Sequence, residues 1–216
     1  MATLTIDVVA ECMSAHVALY SWRKPTYQHA ALTSLCRVWD PNHASMLDVG
    51  GGTGLLAQTI KTLFGLRRVV SVDVKDRFLR SLEVDTGTFD GRTLPFPDNS
   101  FDCILLFNVL HHVPVTSRVV LMRECRRVVG NGPIYIKDHI SQGRIDDARL
   151  TVLDILGNAL FRGTVSARYL RDQDWRDLAR ATGNDQGERL SDAYRTGSFA
   201  FLFPNRLETT MRWQPG

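Results

Sequence analysis

The chain has 216 residues, of which 44% are hydrophobic and 23% charged, with 26 basic against 23 acidic side chains for a net charge of +3. That length and balance describe one ordinary globular domain with a substantial core. They exclude a disordered or collagen-like chain, and so small an excess of positive charge does not by itself imply nucleic acid. The four cysteines (Cys12, Cys36, Cys103, Cys125) have neither C-x-x-C nor zinc-ligand spacing, so buried free thiols in a reducing compartment are expected. There is no basic segment followed by an apolar block at the start, and the longest apolar runs are too short to span a bilayer. The expectation is a cytoplasmic protein without a membrane span.

In chain order, apolar residues at roughly helical spacing from Ile6 to Tyr20 predict a helix over 6–21, interrupted by Pro25, and a second helix over 26–39 ends before Asp40-Pro41-Asn42. A strand over 45–49 runs into glycines at 50, 51, 52 and 54, and a helix follows with Leu56, Ile60 and Leu63 on one face. Residues 68–73 are β-branched and end in a carboxylate, which predicts a second strand. A short helix over 75–82 and a weak third strand before Asp90-Gly91 come next. Phe101 to Phe107 reads as a buried strand, and Pro114 opens a helix whose apolar face carries Val115, Val119, Met122 and Cys125. Residues 132–137 form the fifth strand; helices over 145–160 and 174–182 follow, and strands near 188–190 and 207–213 complete the chain. Strands alternating with helices at this spacing predict a parallel sheet with helices on both faces.

The run Asp48-Val49-Gly50-Gly51-Gly52-Thr53-Gly54 is the most informative stretch. Glycine is required where the backbone takes positive φ or approaches a ligand closely, and a bare corner at a helix N-terminus suits a ligand rich in hydrogen-bond acceptors. The same turn can also serve only to pack helix on strand. The phasing fits neither the dinucleotide Gly-x-Gly-x-x-Gly nor a P-loop, but it does fit Asp-x-Gly-x-Gly-x-Gly. Asp73, 19 residues after Gly54, stands near the offset of about 20 at which a carboxylate grips a ribose diol, or else it caps the next helix.

Asp90-Gly91-Arg92-Thr93-Leu94-Pro95-Phe96-Pro97-Asp98-Asn99-Ser100-Phe101-Asp102, followed by Asn108-Val109-Leu110-His111-His112-Val113, resembles the signature of class I S-adenosylmethionine (SAM) dependent methyltransferases, in their quinone-biosynthesis-like (type 11) branch. The resemblance covers residues 44–140. It implies a Rossmann-like seven-stranded α/β sheet with helices on both faces, and SAM as cofactor with S-adenosylhomocysteine as product. It sets Gly50, Gly51 and Gly52 against the cofactor, Asp73 on the ribose with Val74 beside it, and Asp90 on the adenine amino group beside the Gly91 backbone. Asp48 and Asn108 fall at the methionine end. The organisation it implies is one domain: an N-terminal helical cap (1–40), a SAM-binding core (44–140), a helical acceptor-side insertion (141–183) and C-terminal strands (184–216).

An activated methyl needs positioning and desolvation more than further chemistry, although a neutral hydroxyl or protonated amine acceptor also needs a base. His139 is the candidate general base, with Asp138 beside it as a second catalytic candidate that could orient the imidazole or raise its pKa, and a structural polar role competes with both; adjacent side chains on an extended segment face opposite ways. His111 is a further catalytic candidate and His112 a substrate-side one, against a role in shaping the turn after the fourth strand. Asp154 and Asn158, four apart on one helix face, either line an acceptor pocket or support packing. Trp22, Arg23 and Tyr27 around Pro25 are lid candidates by resemblance, with core packing as competitor. No metal-ligand set is visible in the spacing. The expected function is methyl transfer to an O, N or C atom of a small molecule, by a monomer or homodimer and without nucleic acid. Its alternatives are a SAM-binding but inactive partner subunit, or another SAM-using transferase or cyclase on the same fold.

Overall fold

A computed structural model describes residues 4–158 and 167–216, the side chain of Asn158 excepted. Five parallel strands form its centre: β1 (Ser45–Val49), β2 (Arg68–Asp73), β3 (Asp85–Thr88), β4 (Cys103–Phe107) and β5 (Ile134–His139). Three more follow late in the chain: β6 (Asn184–Asp185), β7 (Arg189–Leu190) and β8 (Glu208–Pro215). The sheet order is β3-β2-β1-β4-β5-β8-β6, with β7 also paired to β8. This is the expected seven-strand path plus one two-residue strand. The strand order turns around between β1 and β4, so the crevice beyond their C-terminal ends is where an open α/β sheet takes a ligand.

Period-two alternation explains the two cores. Leu47, Ile104, Leu106, Ile134 and Ile136 face one side, against α4 (Val115–Val129) and α6 (Asp172–Ala181). Met46, Cys103, Leu105 and Tyr135 face the other, where α1 (Ile6–Ser14), α2 (Thr26–Cys36) and α3 (Leu55–Phe64) supply Val9, Leu32, Leu35 and Ile60. The remaining helices are α5 (Arg144–Asn158) and α7 (Gly197–Leu202), the latter not predicted by the periodicity. No helix among the described residues is long and apolar enough to cross a membrane.

Three expectations need correction. The first helix stops at Ser14 and a 3₁₀ turn covers Ala18–Ser21, because the chain bends to bury Tyr20 and to bring His16 Nδ1 within 2.9 Å of Ser81 Oγ. Residues 75–82 form no helix: the Lys75 N–H bonds Asp73 Oδ1 (3.0 Å) and the Leu79 N–H bonds the Thr53 carbonyl (3.1 Å), so those donors go to the glycine corner instead of a helical ladder. The buried face of α4 begins at Arg118, which donates to the carbonyls of Val113 and Arg168, while Val115 stays exposed.

Trp175 anchors α6 to the sheet. It is fully buried and meets Trp213 of β8 edge-on, with ring centroids 6.1 Å apart. Trp175→Ala is expected to cost about 3–5 kcal/mol in unfolding free energy, read from the urea midpoint at unchanged slope.

Candidate active site

The corner after β1 is held by its own backbone. The Gly50 and Gly51 N–H groups both donate to the Val72 carbonyl, at 2.7 and 3.1 Å. Gly50 has φ +79°, and a Cβ there would lie 2.6 Å from Val109; one on Gly51 would lie 1.9 Å from Ser71 Oγ. Glycine at both positions is therefore required by packing within the protein. Gly52 differs: its φ is +60° and a Cβ would meet nothing within 4 Å, so bare backbone borders open space. Asp48 is buried beneath the corner and accepts the Ser71 hydroxyl at 2.6 Å. Burial pushes its carboxyl up to about 7, the Ser71 bond opposing and the Asp73 charge adding.

Asp73, at the end of β2, leaves neither oxygen idle. Oδ2 accepts the Gly52 N–H at 2.8 Å and the Arg77 guanidinium at 3.4 Å, while Oδ1 accepts from Lys75. Val74 follows, 56% exposed, and its methyl lies 3.1 Å from where a Gly91 Cβ would be. Asp90 is exposed; its Oδ1 accepts the Thr93 and Arg92 N–H groups (2.7 and 2.8 Å), which lowers its pKa. Gly52, Asp73, Val74, Asp90 and Gly91 thus follow one rim at the C-terminal ends of β1–β3.

A second, buried cluster occupies the ends of β4 and β5. Lys137 Nζ donates to Asn108 Oδ1 (2.8 Å) and Glu208 Oε2 (2.6 Å) and contacts the Tyr27 hydroxyl, which also accepts from Asn108 Nδ2 (3.0 Å). Arg195 pairs with the other Glu208 oxygen, and His139 Nδ1 stands 3.0 Å from Oε2. Burial works against the Glu208 charge, but His139, Lys137 and Arg195 together hold it well below the usual carboxylate range. Burial pulls Lys137 below its ordinary value despite Glu208, and pushes the Tyr27 phenol well above its own.

Beside it, Asp138 pairs with His111 Nδ1 through one oxygen and accepts the Leu110 N–H through the other (2.9 Å). Burial would lower the His111 pKa, but Asp138 and then Asp154 reverse this and lift it to about 9. Asp138 itself is held below the ordinary carboxylate range, burial being overcome by His111. The expected Asp138–His139 neighbours therefore diverge. Asp138 takes only the backbone N–H of His139 (2.7 Å), while that imidazole faces Glu208 and Asp154. Asp154 accepts the Tyr169 hydroxyl at 2.6 Å and reaches His111 Nε2 at 3.5 Å.

Of the lid candidates, Tyr27 is drawn into this cluster while Trp22 is 77% exposed and Arg23 also lies at the surface. His112 is half-buried with its ring 4.0 Å from that of His111, and the Asn158 side chain lies outside the described residues. Sequence reasoning missed Lys137, Glu208, Arg195 and Tyr169. Only Lys137 carried a signal: a lysine within the β5 run Ile134-Tyr135-Ile136-Lys137 demands a buried partner.

A family model described as a methyltransferase domain matches residues 47–136. The ubiquinone/menaquinone biosynthesis C-methyltransferase UbiE of Teredinibacter turnerae is 30% identical over 185 residues, which cover 77% of this chain and 70% of that protein. The chain belongs to the class I SAM-dependent methyltransferases, in the quinone-biosynthesis-like branch. Its similarity to the UbiE of Hahella chejuensis is also 30%, over 148 residues, 60% of this chain but only 59% of that relative's length. Among solved structures, the methyltransferase-fold complex between the Haloferax volcanii Trm112 methyltransferase activator and a putative methyltransferase aligns with TM-score 0.69 at 12% identity. That alignment covers 99% of each chain and shows the shared fold. A class I methyltransferase family implies SAM, and the bare Gly52 backbone beside exposed Val74 and Asp90 fits such a cofactor.

Asp48 gives a pH test. It titrates near 7 when folded and near about 4 when unfolded, so the native state holds an extra proton between these values. Its contribution to stability is full below about pH 4 and is lost as pH rises through about 7. Denaturant titrations from pH 4 to 8 are expected to show this fall, and Asp48→Asn should flatten it.

Proposed function

We propose that this protein transfers the methyl group of SAM to an O, N or C atom of a small-molecule acceptor. The observation that supports the reading most directly is the continuous rim of open Gly52 backbone, Asp73, exposed Val74, Gly91 and exposed Asp90. SAM supplies a methyl already activated on a sulfonium, so the protein's work is positioning and desolvation. Asp73 accepts the two ribose hydroxyls, exchanging its Arg77 contact for them. Val74 gives an apolar wall to the purine, and Asp90 Oδ2 accepts its amino group beside the small Gly91. Asp48, under the corner, supplies negative charge to the methionine ammonium, which favours its ionised form. Asn108 borders the methionine end, fixed by Lys137 and Tyr27.

At the acceptor end the two histidines have different aptitudes. His111, with its pKa lifted to about 9 by Asp138 and Asp154, is fixed in place by its Nδ1 contact with Asp138. His139 is the general base for an acceptor that must lose a proton, oriented by Glu208 at 3.0 Å and Asp154 at 3.7 Å. Tyr27, from the cap, covers the Asn108–Lys137 contact and keeps water from it.

Calorimetric titration of cofactor-stripped protein with SAM and S-adenosylhomocysteine tests the reading: micromolar binding is expected, and absence of binding to either would overturn it. Asp73→Ala should weaken binding by roughly 1–3 kcal/mol, whereas Arg77→Ala, by removing the guanidinium that competes with the ribose for Asp73 Oδ2, should tighten it several-fold. Once an acceptor is found by screening, His139→Ala should lower turnover about 100-fold or more at unchanged SAM affinity. Turnover equal to wild type would remove His139 as the base. Tight SAM binding with no transfer to any screened acceptor would favour the partner-subunit alternative.

A further inference from the structure

Sequence spacing shows no metal-ligand set, yet the fold assembles one. His111 and His112, in the loop after β4, and Asp154 on α5 each offer a ligating atom, and these atoms all lie within 4.8 Å of one another. Asp154 lies 42 residues beyond His112 (154 − 112), which is why no motif betrays the set. Two further observations point to a ligand. His111 Nε2 is sealed from solvent and makes no hydrogen bond, although it stands 3.5 Å from Asp154 Oδ2. Its other nitrogen is held by Asp138, the carboxylate-on-histidine support that fixes the tautomer of a metal-ligating imidazole. Tyr169 likewise steadies Asp154 through its hydroxyl, 2.6 Å away.

We propose that His111, His112 and Asp154 together hold one divalent transition-metal ion of the zinc class. Two imidazoles with one carboxylate suit zinc, cobalt(II) or ferrous iron and do not suit magnesium or calcium, which take oxygen ligands. Donors around a tetrahedral ion with bonds of about 2.1 Å lie about 3.4 Å apart, so the set must contract. An open coordination position there would take an oxygen of the acceptor; that role, unlike the ion site itself, rests on the methyl-transfer reading.

The test uses the full chain stripped with a chelator and titrated with Co²⁺, followed by its visible d–d absorption, and with Zn²⁺ by calorimetry. One equivalent of each is expected, with at least about tenfold weaker binding in Asp154→Asn and in His112→Ala, and unchanged binding in His16→Ala. Circular dichroism melting establishes that the variants are folded. Absence of stoichiometric binding by the wild-type protein would overturn the site, as would equal affinity in folded Asp154→Asn and His112→Ala. Titration with S-adenosylhomocysteine in the absence of metal judges the cofactor reading separately.

Discussion

The buried carboxylate of Glu208 is the contact on which the polar interior depends. It takes Lys137 of β5 on one oxygen and Arg195 on the other, and it faces His139, so strand end, late loop and candidate base all converge on one side chain. Taking several charges out of water is unfavourable unless each is paired with good geometry, and removing the shared partner would strand two cations. Glu208 reaches this place because β8 is antiparallel to β5. The first residue of β8 lies opposite His139, at the same edge as the C-terminal ends of the parallel strands. A parallel strand in that slot would deliver its last residue there instead.

The glycine corner divides its labour in a way that motif matching does not reveal. Gly50 and Gly51 are excluded from carrying side chains by Val109, Ser71 and Asp48, all parts of the protein, while Gly52 alone opens outward. Asp73 likewise serves the apo fold before any ligand arrives, bracing the corner through Gly52 and the following segment through Lys75. The residues proposed to meet a cofactor are therefore already structural. A substitution such as Asp73→Ala is accordingly read on two axes, binding and stability, measured side by side.

Legibility followed locality. β1 and β2 were readable to the residue because alternation, β-branching and the bounding glycine and carboxylate all lie within a few positions. The residues proposed to hold the cofactor are local features too, each standing at a strand end or in a short signature. The segment 75–82 was misread because its backbone donors are claimed by Asp73 and by Thr53 of a different loop. The interior cluster was almost invisible: Glu208 meets Lys137 across 71 residues (208 − 137) and Arg195 across 13 (208 − 195). The Asp138–His111 pair replaced the sequence-adjacent Asp138–His139 one because neighbours on a strand face opposite ways.

The late arrival of β8 has a consequence for how the molecule comes into being. Among the described residues β5 pairs on its outer edge only with β8, whose first residue follows His139 by 69 positions (208 − 139). During synthesis the parallel strands, the glycine corner and the cap can all emerge while that edge has no neighbour and Lys137 has no carboxylate. A nascent chain at this stage carries the glycine corner and the crevice between β1 and β4 joined to an unfinished sheet edge, the kind of surface that invites pairing with another chain. Stalled or truncated translation products ending before Glu208 would therefore be sticky species, and chaperone demand should concentrate in that interval.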